Sequence, residues 1–456
     1  MRFAELERAD VAVWGWGREG RSVLAALRRQ FPDKPLTLYC APSEAAALRE
    51  GSTSDSQALD VRTGSPDADA LSSHEVVIKS PGISAYKPEI VAARERGTRF
   101  TSGTSLWFGD NRDARVVAVT GTKGKSTTTA LIAHLARNLG VRTALAGNIG
   151  LPLLDLDGQR ADLWAIELSS FQTGEAGPLE LGVVVSLAEE HLDWHGTRER
   201  YIADKLKLAD VSRTLLVDAG SPLLMDRTST HAHRKVFGDG HGWHVEGGAI
   251  RRGQGAVMRL DGLPLHGAHN ARNACAALAA IELLGLDARG AAESLRNFQP
   301  LPHRLTRLGM RDGVDWIDDS ISTTPDAALA ALESLRGREV TLILGGFDRG
   351  LDWTALAREL AAHPPHAVIV QGAARSRIVE ALRDARIGCA IEHPPDLAAA
   401  VTRARTFAPM GGAVLLSPGA PSFDQFKDYA ERGRTFARLA GFDDAAIGTI
   451  TGLGIA

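Results

Sequence analysis

The run Val117-Ala-Val-Thr-Gly-Thr-Lys-Gly-Lys-Ser-Thr-Thr-Thr129 admits few folds. A β-branched strand ends in a glycine turn, and Lys125 and Ser126 then open a segment in which Leu131, Leu135 and Leu139 keep helical spacing. Strand, glycine loop and helix start form a phosphate cradle: N–H groups of the loop and of the first helical turn face the anion, and Gly124 lets them come close. Lys125 adds a point charge for the outer phosphates, and the Ser126 hydroxyl suits a Mg²⁺ ion. The usual spacing is GxxxxGK[ST], yet the position five before Gly124 is Val119 and the nearest glycine is Gly121. The loop is therefore a shortened GxxGKS, and the ligand it predicts is ATP or GTP.

A chain of 456 residues is long for one core, which predicts two to four domains. A net charge of −3 gives no reason to expect nucleic acid as a partner. Cys40, Cys275 and Cys389 lie too far apart for a metal or disulfide framework, and no apolar run is long enough to span a membrane. With no signal peptide at the start, the expectation is a soluble cytoplasmic enzyme.

Ahead of the phosphate loop, Val11-Ala-Val-Trp14 runs into Gly15-Trp-Gly-Arg-Glu-Gly20 and a helical pattern, so GxGxxG stands after a strand and before a helix. The second strand, Leu36–Cys40, ends without the acidic residue that a nicotinamide ribose needs. A nucleotide diphosphate on Gly15, Trp16, Gly17 and Arg18 remains, with Ser80-Pro-Gly82 on the same carboxyl edge; the alternative is a glycine turn needed only for packing. Beyond the phosphate loop, Leu163-Trp-Ala-Ile166 ends at Glu167, where a second Mg²⁺ ligand belongs, although a cap or an ion pair would also explain that carboxylate. His191, flanked by carboxylates at a strand end, is a candidate metal or phosphate contact; His195 is read as structural. Asn270 and Asn273 stand one turn apart at a helix start, suited either to a base or to capping. Four further strands after residue 303 alternate with helical stretches, which predicts another mostly parallel sheet with polar loops at its strand ends.

Eight ordered motifs carry a resemblance over nearly the whole chain: Thr120-Gly-Thr-Lys-Gly-Lys-Ser-Thr127, Gly147-Asn-Ile-Gly150, Glu167-Leu-Ser-Ser-Phe-Gln172, His191-Leu-Asp193, His269-Asn-Ala-Arg-Asn273, Pro302-His-Arg304, Gly345-Gly-Phe-Asp-Arg349 and Asp424-Gln-Phe-Lys427. The chain resembles the Mur ligases, the ATP-dependent amide-forming enzymes of peptidoglycan synthesis, and among them the glutamate-adding type. The resemblance implies an α/β fold of three domains: a Rossmann-like domain over residues 1–105 for the UDP moiety of UDP-N-acetylmuramoyl-L-alanine, a P-loop domain over 106–302 for ATP, and a Rossmann-like domain over 303–456 that brings glutamate and closes over the second.

By the same likeness, Gly121, Thr122, Lys123, Gly124, Lys125, Ser126 and Thr127 cradle the phosphates, and Asn270, Asn273, Arg304 and Asp319 contact the nucleotide. Ser126, Glu167, His191 and Lys205 match positions that hold two Mg²⁺ ions, Lys205 as a carbamate; Lys125, Glu167, His191 and Lys205 are the catalytic set. Asn148, Ser169 and Gln172 match substrate contacts, and Thr323, Arg349, Ser422 and Tyr429 fall where the family holds the incoming glutamate. The likeness implies a monomer.

The chain departs from the family pattern at Ser186, Glu190, Ile321 and the loop Ser417-Pro-Gly-Ala-Pro-Ser422, and it carries Arg349 where many members have lysine. These departures resemble a divergent proteobacterial branch that adds L-glutamate, and they favour L-glutamate over D-glutamate as the incoming amino acid. Two rivals remain, a folylpolyglutamate-synthase-like ligase and a nucleotide sensor without catalysis. The nucleotide-diphosphate region before residue 100 argues against the first, and the joint presence of Lys125, Glu167, His191 and Lys205 against the second.

Overall fold

The computed structural model describes residues 1–51, 59–187, 192–265 and 267–456. The expectation placed on His191, and the departure at Glu190, fall outside the described residues. Three mostly parallel sheets alternate with helices, so the fold is α/β, as the strand-and-helix alternation predicts.

The chain divides into two compact units. One holds Met1–Pro264, Ala268–Phe298 and Gly452–Ala456; the other holds Leu265–Gly267 and Gln299–Thr451. The first unit contains two sheets. The earlier is five-stranded and parallel, in the order Leu59–Thr63, Leu36–Cys40, Val11–Trp14, Val76–Lys79, Arg99–Thr101. Its strand order reverses between Val11–Trp14 and Val76–Lys79, and the crevice at that reversal is where open α/β sheets take ligands.

The second sheet runs Arg234–Phe237, Ser212–Asp218, Leu179–Val184, Val116–Thr120, Leu163–Glu167, Thr143–Gly147, and then Gly454–Ile455 as an antiparallel edge. The strand Val116–Thr120, read in the sequence from its β-branched run, is buried along its whole length because helices cover both faces. It lies between Leu163–Glu167 and Leu179–Val184, so the phosphate loop at its carboxyl end meets Glu167 on one side and Ser186 on the other. A small antiparallel sheet is formed by Trp243–Glu246, Ala249–Arg252 and Gly255–Arg259.

One apolar core joins the first two sheets. Trp107, on the connecting helix Gly103–Asp110, packs against Trp164 with ring centroids 4.6 Å apart. The second unit holds a six-stranded sheet whose antiparallel edge, Thr306–Arg311, is followed by Val314–Asp318, Ala413–Leu416, Val340–Gly345, Ala367–Gln371 and Ala390–Glu392.

Candidate active site

The phosphate loop is shaped by two glycines. Gly124 has φ +83°, a left-handed conformation that costs a residue with a Cβ roughly 1 kcal/mol or more, and a Cβ there would run into Asn273 Oδ1. Gly121 has φ +154°, and a Cβ there would stand 2.7 Å from Val185 Cγ2. The helix Lys125–Asn138 begins directly after Gly124, so its first N–H groups open toward the loop.

Ser186, a departure in the sequence, ties the loop down. Its hydroxyl accepts from the Lys123 N–H at 2.8 Å and donates to the Lys123 carbonyl at 2.9 Å, while its own carbonyl accepts from the Thr122 N–H at 3.0 Å. Thr122 Oγ1 and the Tyr201 hydroxyl lie 2.9 Å apart. Asn273, buried on the helix Ala268–Leu283, donates to Asn270 Oδ1 at 3.2 Å and stands over Gly124. The two amides read from the sequence as one helical turn apart are therefore brought to the loop.

Two ammonium groups converge on one carbonyl. Lys125 Nζ donates to Gly121 O at 2.9 Å and to Thr122 O at 3.0 Å; Lys205 Nζ donates to the same Gly121 O at 2.9 Å. Lys205 is 2% exposed, on a helix, Arg198–Asp210, that Thr197 caps through the Arg200 N–H. Across the loop, Glu167 is 1% exposed. Its Oε1 accepts from Asn148 Nδ2 at 2.9 Å, but its buried Oε2 has no hydrogen-bond partner among the described residues. An orphaned buried carboxylate oxygen costs on the order of 1–3 kcal/mol, which a cation would relieve. Ser126 makes no side-chain hydrogen bond to a described residue.

No group of three or more His, Cys, Asp and Glu able to hold a metal occurs among the described residues. Mg²⁺ does not require one, since it takes one or two protein oxygens and fills its octahedron with phosphate and water. Glu167 and Ser126 have the donor chemistry for such an ion.

Sequence reasoning took His195 as structural and made nothing of Asp204 or Ser170, which the fold links in a chain. His195 Nδ1 lies 2.7 Å from Asp204 Oδ2 and its Nε2 3.0 Å from Ser170 Oγ. Burial pushes the Asp204 carboxyl up, but hydrogen bonds from His195, Lys207 and Tyr86 outweigh it and hold the group below its usual range. Through His195, the chain ties the middle of the Lys205 helix to the loop carrying Ser169 and Gln172. The one local signal was the i, i+3, i+4 spacing of Tyr201, Asp204 and Lys205; the contacts to Ser170 and Tyr86 join distant segments.

At the reversal of the first sheet, Gly15 has φ +103°, and a Cβ there would stand 2.6 Å from Ser80 Oγ. A Cβ on Gly20 would strike the Gly15 carbonyl, so the two GxGxxG glycines permit one close approach of helix to strand. Gly17, which would meet nothing, is the N-cap of the helix Arg18–Gln30. Trp16 is partly buried against the core, and Arg18 opens that helix. Beside the Ser80-Pro81-Gly82 turn, a cavity of about 320 Å³ is lined by Lys79, Thr101, Ser170, Phe171 and Trp194 among others. Gln172, a substrate-contact candidate, is 1% exposed; its Oε1 accepts from Ser169 and its Nε2 donates to Thr104 Oγ1 at 3.1 Å.

In the second unit, Asp319 follows the strand Val314–Asp318. It accepts from Ser417 Oγ at 2.7 Å and from the Leu305 N–H at 3.2 Å, and burial lifts its carboxyl to about 7. Arg304 precedes Leu305, whose φ is +50°, and Arg304 Nε is buried without a hydrogen-bond partner among the described residues. Thr323 stands in the loop after Asp319; Ser422, buried, lies in the loop after Ala413–Leu416; Arg349, exposed, lies in the loop after Val340–Gly345; Tyr429 begins the helix Tyr429–Ala440. Parallel strands put all three loops at one sheet edge.

Residues 119–281 match the Mur ligase middle domain, and residues 303–419 match the glutamate ligase domain of Mur ligases. A UDP-N-acetylmuramoyl-L-alanine–L-glutamate ligase of Xanthomonas euvesicatoria pv. vesicatoria is 47% identical over 471 aligned residues, covering 100% of both chains. The chain belongs to the Mur ligase family. Ligases of the same name from Xylella fastidiosa (strain Temecula1) and a Micromonospora species are 47% and 38% identical to this Mur ligase, the latter over 96% of this chain and 97% of its own.

Two solved structures share its fold. The UDP-N-acetylmuramate-alanine ligase of Thermotoga maritima gives a TM-score of 0.63 at 20% identity, covering 94% of this chain and 99% of its own. The MurF ligase of the same organism, solved with ADP, gives 0.57 at 18%, covering 96% of each chain. As a Mur ligase, the chain is an ATP-dependent amide-forming enzyme. No helix among its described residues is long and apolar enough to cross a membrane.

Proposed function

We propose that this Mur ligase joins the amine of L-glutamate to the alanine carboxylate of UDP-N-acetylmuramoyl-L-alanine, converting ATP to ADP and phosphate. The observation that carries the reading is full-length identity of 46–48% to seven ligases of that name. The preference for L-glutamate drawn from the departures in the sequence agrees with those names.

The roles of the side chains follow from their chemistry. The amides of Gly121–Thr127 and Lys125 hold the outer phosphates of ATP while its terminal phosphoryl group passes to the alanine carboxylate. Ser126 and Glu167 hold Mg²⁺, and His191 with carbamylated Lys205 holds a second ion. Mg²⁺ held there would supply positive charge against the phosphates. A cationic Lys205 would repel that ion, and it already shares an acceptor with Lys125; carbamylation converts it to an anion and removes both conflicts. Asn270, Asn273, Arg304 and Asp319 contact the nucleotide. Gly15, Trp16, Gly17, Arg18, Ser80, Pro81 and Gly82 take the UDP moiety, and Asn148, Ser169 and Gln172 face the rest of that substrate.

Thr323, Arg349, Ser422 and Tyr429 orient glutamate. Its amine attacks the acyl phosphate, the C–N bond forms, the phosphate leaves with the electron pair of the C–O bond, and the amine proton passes to solvent. The enzyme works as a cytoplasmic monomer not inserted in a membrane.

The test is ADP and phosphate release by the full chain, given ATP, Mg²⁺ and UDP-N-acetylmuramoyl-L-alanine, with each glutamate enantiomer in turn. Release with L-glutamate well above release with D-glutamate is expected; dependence on D-glutamate alone, or on neither, refutes the reading.

A further inference from the structure

The second unit buries a cation that no described carboxylate neutralises by direct contact. Arg432, on the helix Tyr429–Ala440, is 0% exposed. Its Nε donates to Ser320 Oγ at 3.0 Å, one terminal nitrogen to Ser320 O at 2.8 Å and the other to Ala420 O at 3.0 Å. Ser320 Oγ in turn donates to the Tyr429 carbonyl at 2.8 Å. Asp424, Asp318 and Asp319 act on the guanidinium from a distance, and burial outweighs them, drawing it down to about 10. Taking a cation out of water is costly unless its donors find acceptors, and here each of the three guanidinium nitrogens finds one, a carbonyl or a hydroxyl, on two separate loops.

A third loop closes on the same group. A Cβ on Gly346 would stand 2.9 Å from one Arg432 terminal nitrogen and would strike the Pro421 carbonyl. Phe347 N–H donates to that carbonyl at 2.8 Å, and Gly345 N–H to Pro418 O at 2.8 Å. Ser320 belongs to the loop that carries Thr323, Ala420 to the loop that carries Ser422, and Gly346 to the loop that carries Arg349. The planar fork of arginine presents its donors at fixed angles, so it sets the spacing of what it holds; a lysine on a flexible stem would not.

We propose that Arg432 is the positioning residue of the amino-acid site: it sets the register of the loops bearing Thr323, Ser422 and Arg349 without itself touching glutamate. The inference rests on the reading that these loops bind the incoming amino acid. Their side chains must hold the amine in line with the acyl carbon, and a displacement of about 1 Å in such a site costs up to about 100-fold.

The experiment compares the full-length parent with Arg432→Met, Arg432→Lys and Ser320→Ala, reading KM for L-glutamate, ATP and the UDP-linked acceptor, with melting curves to establish folding. Arg432→Met should raise KM for L-glutamate by about 30-fold and Arg432→Lys by about 10-fold, with KM for the other two reactants within about 2-fold. Ser320→Ala, which keeps the charge but removes the Nε acceptor, should move KM for L-glutamate the same way by less. A folded Arg432→Met or Arg432→Lys with the parent's KM for L-glutamate overturns the inference, as does an equal rise in all three constants. If all three variants fail to fold, a role confined to these loops is excluded. A parent inert toward L-glutamate sinks the functional reading and this inference with it, whereas an active parent with unchanged folded variants sinks this inference alone.

Discussion

Glu167→Gln separates a metal-holding carboxylate from a structural one, because the two roles move stability and activity in different directions. The glutamine keeps an oxygen for Asn148 Nδ2, the 2.9 Å bond that Oε1 now accepts. It places an NH₂ where the orphaned Oε2 stands. Without metal, one unmet buried acceptor is exchanged for one unmet buried donor, each costing about 1–3 kcal/mol, and the buried charge is lost. Stability of the free protein should therefore change by no more than about 1 kcal/mol, or rise. Activity behaves otherwise: a donor aimed at Mg²⁺ removes transition-state stabilisation of about 3–4 kcal/mol, a fall of about 100- to 1,000-fold in turnover. The assay is phosphate release, dependent on acceptor and L-glutamate, over a Mg²⁺ titration, with thermal unfolding recorded with and without Mg²⁺. A Gln variant within about 3-fold of the parent at every Mg²⁺ concentration refutes the role. So does a loss of more than about 3 kcal/mol of stability in the absence of metal, the signature of a broken structural pair.

Depleting dissolved CO₂ should lower turnover and bicarbonate should restore it, with a carbamate signal from labelled bicarbonate in ¹³C NMR that is absent in Lys205→Ala; full activity in CO₂-free buffer counts against the carbamate. Burial lifts the Asp319 carboxyl to about 7 in the fold, above its ordinary value of 3.8, so between those limits the folded state keeps a proton that the unfolded chain has released. Its contribution to stability is thus full below about 4 and lost as pH rises through about 7. Asp319→Asn should gain in melting temperature relative to the parent between pH 5 and pH 8, and a pH-independent difference would contradict the burial argument. Gly20→Ala drives a methyl into the Gly15 carbonyl, which no side-chain rotation relieves; KM for the acceptor should rise by more than about 10-fold while ADP binding, followed by calorimetry, stays unchanged.

What could be read from the sequence was what burial on both faces makes legible. Val11–Trp14, Leu36–Cys40 and Ala413–Leu416 have the bounds that their apolar runs mark, because strands covered by helices on both sides carry no alternation to blur them. Leu59–Thr63, mostly exposed, reads as Leu-Asp-Val-Arg-Thr, and Arg99–Thr101 is three residues long at an edge; neither has an apolar signature. The phosphate loop was legible because its ligand chemistry is local. The ties that set its shape were not: Lys205 reaches Gly121 across 84 positions and Ser186 reaches Lys123 across 63, distances over which no periodicity carries information. Ser186 stood out in the sequence only as a departure, and the fold supplies its reason, a hydroxyl able both to give and to take a hydrogen bond at Lys123.

The strand Gly454–Ile455 lies against Thr143–Gly147, and Arg137 grips the carbonyls of Gly452 and Gly454 at 2.7 and 2.9 Å. Residues 299–451 are thus an insert in the chain of the first unit, which resumes at Gly452. A ribosome has released that insert's residues before the middle sheet receives its last strand, and a protease cutting at residues 299–302 leaves the tail still sewn to the first unit. Removal of residues 452–456 would therefore strip an edge strand from the phosphate-loop sheet.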